Sequence, residues 1–330
     1  MSSQFANAIA AAAAGSPMGS VPILPDRTLL VDGDGLAYYC AGNDDTSTGE
    51  ARSRLIDKVK SAQRVVGAGR VLILLTLSGS HKGHRYAVAR VKPYQGQRAD
   101  ARRPKNWRYL RDLMETGSLG FETQGTAIAE ADDLFGWHAY NNPEGSVIYT
   151  QDKDMRMLPG MHLDWVSHVA HTVSYDLSTC REGYRMFNVR PHDSVHNDKQ
   201  YGPRWFWLQM LHGDTADHIP GLPKYVVDGK SKLCGPVTAE KLLQGDAPYH
   251  AIVAALYESY YGERWLVEMM EQACLLWMRR DPAKWDDFMD PGGPLAIYND
   301  GEDQFAKAYF EIETRVRNAD NFNAASAQDD

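Results

Sequence analysis

The sequence predicts an α/β protein: a doubly wound, mostly parallel sheet followed by a mainly helical part. Three observations predict it. Val71 to Leu77 (VLILLTL) is an unbroken apolar run, the pattern of a strand buried on both faces of a parallel sheet. Two shorter apolar runs, Arg27–Asp32 (RTLLVD) and Val147–Thr150 (VIYT), are set apart from it by stretches with helical spacing. After about residue 185 the pattern becomes mostly helical.

Taken in order, Arg27–Asp32 reads as a short strand that Gly33-Asp34-Gly35 breaks. Leu55, Ile56, Val59, Ala62, Val65 and Val66 fall at helical spacing within 50–66, and Gly67 and Gly69 end that helix. The Val71–Leu77 strand follows, then a basic segment, then a helix over 105–115. Phe121–Thr123 reads as a short strand, Glu130 opens a helix to about Tyr140, Val147–Thr150 is the next strand and His162–Val166 another. The second part carries helices over 204–211, 237–243, 251–260, 264–279 and 303–316, and the polar stretch 193–202 reads as a linker. The expected organisation is a disordered leader over 1–26, an α/β part over 27–190 and a helical part over 191–330.

The 330 residues, 43% hydrophobic and 10% aromatic, suffice for a sizeable core. The four cysteines (Cys40, Cys180, Cys234, Cys274) are scattered without a Cys-x-x-Cys pair, which argues against zinc and disulfides and for a reducing, cytoplasmic setting. No apolar run reaches membrane-spanning length, and residues 1–26 lack the basic start of a secretory signal. A net charge of −8 excludes a protein that simply coats DNA. Yet residues 81–111 hold ten Lys/Arg against one acid, Asp100, and are +9. The His168 and His171 pair, three apart and without an evident carboxylate or cysteine partner, reads as ordinary surface or core histidine.

The chemistry concentrates around the Val147 strand. Glu130, Asp132 and Asp133 precede it, and Asp152 and Asp154 follow. Binding sites of open parallel sheets form at the carboxyl ends of strands. Asp32 ends the first strand, Glu130–Asp133 lie where a loop enters a helix, and an extended Asp152-Lys153-Asp154 would point both acids the same way. Each acid alone has a bland reading as a helix cap or turn former. Together they repel one another unless divalent cations neutralise the site, and two cations held by oxygen ligands suit Mg²⁺ or Mn²⁺ and phosphodiester cleavage. Further on, Leu-His-Gly-Asp-Thr-Ala-Asp-His-Ile-Pro-Gly (211–221) sets Asp214 and Asp217 three apart. After an insertion over 224–234, Gly235-Pro-Val-Thr238 opens a helix whose free amides suit a phosphate, the bland reading being an ordinary packing unit.

LLVDGDGLAYY (29–39), YQGQR (94–98), AEADDLFG (129–136), YTQDKDMRMLPG (149–160) and GDTADHIPGLP…GPVTAEKLL (213–243) together resemble the flap endonuclease and 5′–3′ exonuclease superfamily, above all its bacteriophage members. The resemblance spans about residues 28–245 and implies an α/β nuclease core with a helix–three-turn–helix DNA-binding element, often with a bound K⁺. It implies two Mg²⁺ ions, with Asp32, Glu130 and Asp132 on the first and Asp152, Asp154 and Asp214 on the second. Asp133 and Asp217 are then ligands or hold ligands. It makes Arg98 a phosphate contact, and the basic segment a mobile arch for a single-stranded 5′ end, in which Tyr86, Tyr94, Trp107 and Tyr109 either stack bases or pack locally. Arg85, Lys92, Tyr94, Arg98, Arg102, Arg103, Gly221, Gly235 and Thr238 are the expected nucleic-acid contacts. The implied activity is Mg²⁺-dependent hydrolysis, by a monomer, at 5′ ends, nicks or flaps of DNA, with RNA in hybrids as a further substrate.

The sequence departs from that pattern at three places. Gln95 stands where the family has a lysine, for which Lys92 or Arg85 is the expected stand-in. No acid follows the Val71 strand, where Thr76-Leu-Ser78-Gly-Ser80 stands. The third departure is the 224–234 insertion. Two rival readings are a haloacid-dehalogenase-like phosphatase with Asp32 as nucleophile and Asp34 as acid, and a structure-selective DNA binder that does not cleave. The phosphatase leaves Glu130–Asp133, Asp152, Asp154 and the basic strip without a role.

Overall fold

A computed structural model describes residues 21–98, 102–173, 194–227, 229–245, 247–298 and 303–326. The leader expected over 1–26 lies outside these except for its last six residues. The chain forms two compact units: residues 1–80 with 102–174 and 280–282, and residues 81–101 with 175–279 and 283–330. The basic segment 81–111 is thus divided between them.

The first unit is built on a six-stranded sheet in the order β3-β2-β1-β4-β5-β6. Its strands are β1 (Leu24–Asp32), β2 (Ala68–Thr76), β3 (Glu122–Thr126), β4 (Ser146–Tyr149), β5 (Gly160–Leu163) and β6 (Ala170–Val173). β1 to β5 are parallel, and β6 runs antiparallel along β5. β1 is central: Leu30 pairs with Leu72 on one side and with Ile148 on the other. Alternation along the strands buries both faces. Leu29, Val31, Ile73, Leu75, Val147 and Tyr149 join one core cluster with Leu36, Leu55, Val59, Leu110 and Met114.

Those last residues come from helices α1 (Gly33–Cys40), α2 (Thr48–Val66) and α3 (Trp107–Glu115). α2 starts on Ser47, whose hydroxyl caps the Glu50 amide, and stops at Gly67 in a left-handed conformation (φ 61°), as its position after the last apolar residue predicts. α4 (Ala131–Asn141) lies against β2 and β4. β6 was not anticipated, and it takes His171 into a strand opposite His162, with their rings stacked at 5.4 Å. Burial pushes the His162 imidazole down to about 4, against its hydrogen bond with the Leu158 carbonyl.

The second unit is mainly helical: α5 (Pro203–His212), α6 (Pro236–Leu242), α7 (Tyr249–Tyr261), α8 (Trp265–Leu276) and α9 (Asp303–Ser326). Residues 194–201, expected as a linker, form a two-stranded hairpin, β7 (Ser194–His196) with β8 (Lys199–Tyr201). The insertion folds as a second antiparallel hairpin, β9 (Lys224–Val227) with β10 (Lys230–Leu233), in the connection from α5 to α6. Trp207, Trp277, Tyr249, Tyr257, Phe206 and Phe288 are wholly or almost wholly buried and form the bulk of this unit's interior. Among the described residues no helix is long and apolar enough to cross a membrane.

Candidate metal centre

Because β1, β2 and β4 are parallel, their carboxyl ends share one edge of the sheet. Asp32 is the last residue of β1 and the N-cap of α1, with its Oδ1 accepting the Gly35 amide at 2.8 Å. Its Oδ2 accepts the hydroxyl of Thr150, the residue after β4, at 2.8 Å. Asp32 is only 9% exposed, and burial raises its carboxyl above the usual carboxylate range, against the Gly35 amide, the Thr150 hydroxyl and the Arg111 guanidinium. A carboxylate desolvated in this way gains most from a neighbouring cation.

The end of β2 is organised by Thr76. Its hydroxyl accepts the Ala131 amide at 2.9 Å, and Ser80 donates to the Ala129 carbonyl at 2.6 Å, so the start of α4 is fastened to this strand end. Glu130 and Asp133 form a capping box, in which the Glu130 amide donates to Asp133 Oδ2 at 3.1 Å. The capping role that each could have had alone is therefore realised. It uses only part of the several acceptor positions of a carboxylate. Both residues are buried, and Asp132 is half-buried in the same turn.

No acid follows β2 in sequence, but Asp34 reaches its end from the turn after β1. The Thr76 amide donates to Asp34 Oδ2 at 3.1 Å. Asp34 is ion-paired with Arg111, which also donates to the Thr76 carbonyl (2.6 Å) and to Glu115 (2.8 Å).

The Asp152-Lys153-Asp154 segment is not extended. Lys153 is helical (φ −69°, ψ −22°) and Asp154 opens a short 3₁₀ turn to Met157. Asp152 Oδ1 accepts the Asp154 amide at 2.8 Å, and the Asp152 amide donates to Thr150 Oγ1 at 2.9 Å. The two side chains accordingly differ: Asp152 is exposed, whereas Asp154 is buried, with the Lys153 ammonium 3.3 Å away. The two-residue spacing does not make them equivalent, because a local carboxylate–amide bond outcompetes the extended backbone.

In the second unit Asp214 and Asp217 are both buried, and each offers a carboxylate oxygen within 4.8 Å of the other's. Their loop is a tight ring. Asp214 and Ile219 exchange backbone hydrogen bonds (2.8 and 2.7 Å), and Asp214 Oδ1 accepts the Ala216 amide at 2.8 Å. Gly213 and Gly221 make the closure possible. Both are left-handed (φ 72° and 61°), and a Cβ on Gly221 would lie 2.3 Å from the Gly213 nitrogen. This is the physical content of the Gly-Asp-x-x-Asp-x-Ile-Pro-Gly pattern.

Asp217 is held by the YQGQR stretch, which a local reading of sequence could not foresee. The Tyr94 hydroxyl donates to Asp217 Oδ2 at 3.1 Å, the Gln95 side-chain amide to Oδ1 at 3.0 Å, and the Gln95 backbone amide to the Asp217 carbonyl at 2.9 Å. The Lys82 ammonium in turn donates to Gln95 Oε1. Lys82, His84, Gln95 and His218 account for four of the seven non-glycine residues with left-handed backbone among the described residues, so strain is concentrated at this clamp.

The expected nucleic-acid contacts divide. Arg85 is wholly buried, and its guanidinium donates to the carbonyls of Leu275 (3.2 Å) and Trp277 (2.8 Å), so it is a structural residue and not a stand-in for the missing lysine. Tyr94 is buried on Asp217 and packs edge-on against the half-exposed Tyr86, which removes it as a stacking platform. The Gly221 amide is already donated to Gln272 Oε1 (3.0 Å) and is not offered to a phosphate. Residues 81–98 are packed into their unit and are not a free arch there: the Arg90 and Val91 amides bind Glu271, which pairs with Arg315 at 2.7 Å. Lys92, Arg102 and Arg103 are exposed, the last two with Asp44 and the Trp107 ring respectively. Gly235 caps the start of α6 and Thr238 lies in its first turn, both half-exposed. The side chain of Arg98 lies outside the described residues.

Neither a family model nor a curated protein matches the sequence. Among solved structures, the chain matches a bacteriophage T5 5′-exonuclease with divalent zinc ions (17% identity, TM-score 0.49, covering 87% of this chain and 99% of that one). It also matches a bacteriophage T5 flap endonuclease in a pseudo-enzyme–product complex with DNA and metal ions (16% identity, TM-score 0.47, covering 88% and 99%).

Proposed function

We propose that the chain is a structure-dependent 5′ nuclease that hydrolyses phosphodiester bonds near the 5′ ends, nicks or flaps of DNA, and of RNA in hybrids, acting as a monomer. The observation that carries this reading is the buried Asp214/Asp217 pair, whose oxygens approach within 4.8 Å. Two buried carboxylates that close repel one another unless a cation is bound or one is protonated. The donors are all oxygen, which suits Mg²⁺ or Mn²⁺. Asp32, Glu130 and Asp132 are assigned to one ion, Asp152, Asp154 and Asp214 to a second, and Asp133 and Asp217 are ligands or hold ligands. When bound, such ions activate a water and offset the charge of the leaving oxygen. The chain's own contribution is positioning: Thr150 orients Asp32, Gln95 and Tyr94 fix Asp217, and the Lys82 ammonium brings a positive charge next to that clamp. The start of α6, at Gly235 and Thr238, is assigned to the DNA backbone, and the Gly213–Gly221 turn to a K⁺ ion.

The phosphatase alternative needs Asp34 as a proton donor. Asp34 is instead an acceptor from the Thr76 amide and the ion-pair partner of Arg111, so its oxygens are already engaged. The test uses 5′-flap, nicked and hairpin DNA labelled at either end. Mg²⁺-dependent release of short 5′ products is expected, abolished by chelation and reduced at least ~100-fold in Asp154→Ala. DNA binding without Mg²⁺-dependent cleavage by the unaltered chain would overturn the assignment in favour of a non-cleaving DNA binder.

A further inference from the structure

The inserted hairpin contributes none of the acids assigned to the metal centre, and its outer strand is exposed and basic. All four residues of β10 are exposed, and it is β9 that packs on α7. The pairing register sets Lys232 opposite Tyr225 and Lys230 opposite Val227. Side chains alternate across a strand, so Lys230, Lys232 and Tyr225 stand on one face, and the exposed Lys224, paired with Leu233 at the base of the hairpin, stands on the other. The ten residues 224–233 carry three lysines against one acid, Asp228, in a chain whose net charge is −8. Among the described residues no acid pairs with any of these lysines, whereas Arg54, Arg70 and Arg204 are each matched to a glutamate. A patch left positive on an acidic protein selects a polyanion. Two residues of strand separate Lys230 from Lys232 by ~7 Å, so the two ammonium groups can meet separate phosphates.

We propose that the β9–β10 hairpin is a basic wing that grips the phosphate backbone of duplex DNA through Lys230 and Lys232. The proposal rests on the nuclease reading and adds to it a second, sequence-independent contact next to α6. Because the contact is electrostatic, it contributes to binding and not to the chemical step.

The test measures the affinity of the full-length chain for a labelled duplex in EDTA over a range of salt concentrations. Each phosphate contact contributes ~0.9 to the slope of log K against log[salt]. Lys230→Ala/Lys232→Ala is expected to lower that slope by about 2 and to weaken binding roughly ten- to a hundredfold at 0.1 M salt, while cleavage at saturating substrate stays unchanged. Lys230→Arg/Lys232→Arg keeps the slope, and the control Lys60→Ala/Lys307→Ala, elsewhere on the surface, leaves it unaltered. An unchanged slope in the hairpin variant overturns the proposal, as does an equal loss in the control. Self-association of the variant with an unchanged slope would show that the lysines only protect a strand edge. If the unaltered chain cleaves while the slope does not move, only the wing is lost; if it neither binds nor cleaves DNA, the nuclease reading falls with it.

Discussion

Arg85 of the basic segment and the lysines of the inserted hairpin end in opposite environments. Within residues 81–98, Arg85 is buried completely and spends its guanidinium on main-chain carbonyls at and just beyond the end of α8. In the shorter insertion, Lys230 and Lys232 project from an exposed strand and meet no acid among the described residues. By sequence the first stretch is the obvious nucleic-acid surface and the second an afterthought. Charge counted along a chain is therefore not charge on its surface. A planar guanidinium with five donors can be buried wherever several carbonyls converge, and there it acts as a structural strut. A lysine on an edge strand has no such partners and stays in water.

The largest effect is expected for Arg85→Ala. It leaves the Leu275 and Trp277 carbonyls without their donor and opens a cavity, at a cost on the order of 3–5 kcal/mol in urea unfolding. A loss below ~1 kcal/mol, or a DNA-binding defect without one, would place Arg85 with the surface cations after all.

A smaller effect is expected at Gln95, where the same stretch reaches the acids. Gln95→Ala removes a donor from the buried Asp217 carboxylate and costs ~1–3 kcal/mol. It also weakens Mn²⁺ binding in a calorimetric titration. A metal affinity equal to that of the unaltered chain would reduce the Lys82–Gln95–Asp217 series to a packing feature.

The smallest stability effect belongs to the hairpin. Lys230→Ala/Lys232→Ala should move the unfolding free energy by no more than ~0.5 kcal/mol, since exposed lysines without partners contribute little. A larger change would mean that these side chains support the fold, and the contrast between the stretches would disappear.

Much of the architecture was legible in the residues. The apolar run at 71–77 and the helical spacing of 50–66 are local signals, and β2 and α2 follow them to within a few residues. The acids were legible too, because Asp32, Glu130 and Asp154 stand at element ends that periodicity locates. β6 and the two hairpins of the second unit were missed, each of their strands being three or four residues long and without a clear period. The extended form expected for Asp152–Asp154 failed for another reason: a carboxylate two residues before an amide folds back onto it.

The sequence by itself determined which elements form, in what order, and that acids cluster at their ends, because those properties depend on neighbours a few residues away. The tertiary structure decided which side chains hold those acids in place. Thr150 reaches Asp32 across 118 positions, and Gln95 reaches Asp217 across 122. It also decided which cations remain in water. Burial of Arg85 depends on carbonyls 190 and 192 residues away, and no local pattern encodes where they will be. Hydrophobic periodicity is a property of a segment, whereas hydrogen-bond partnership and desolvation belong to the folded surroundings.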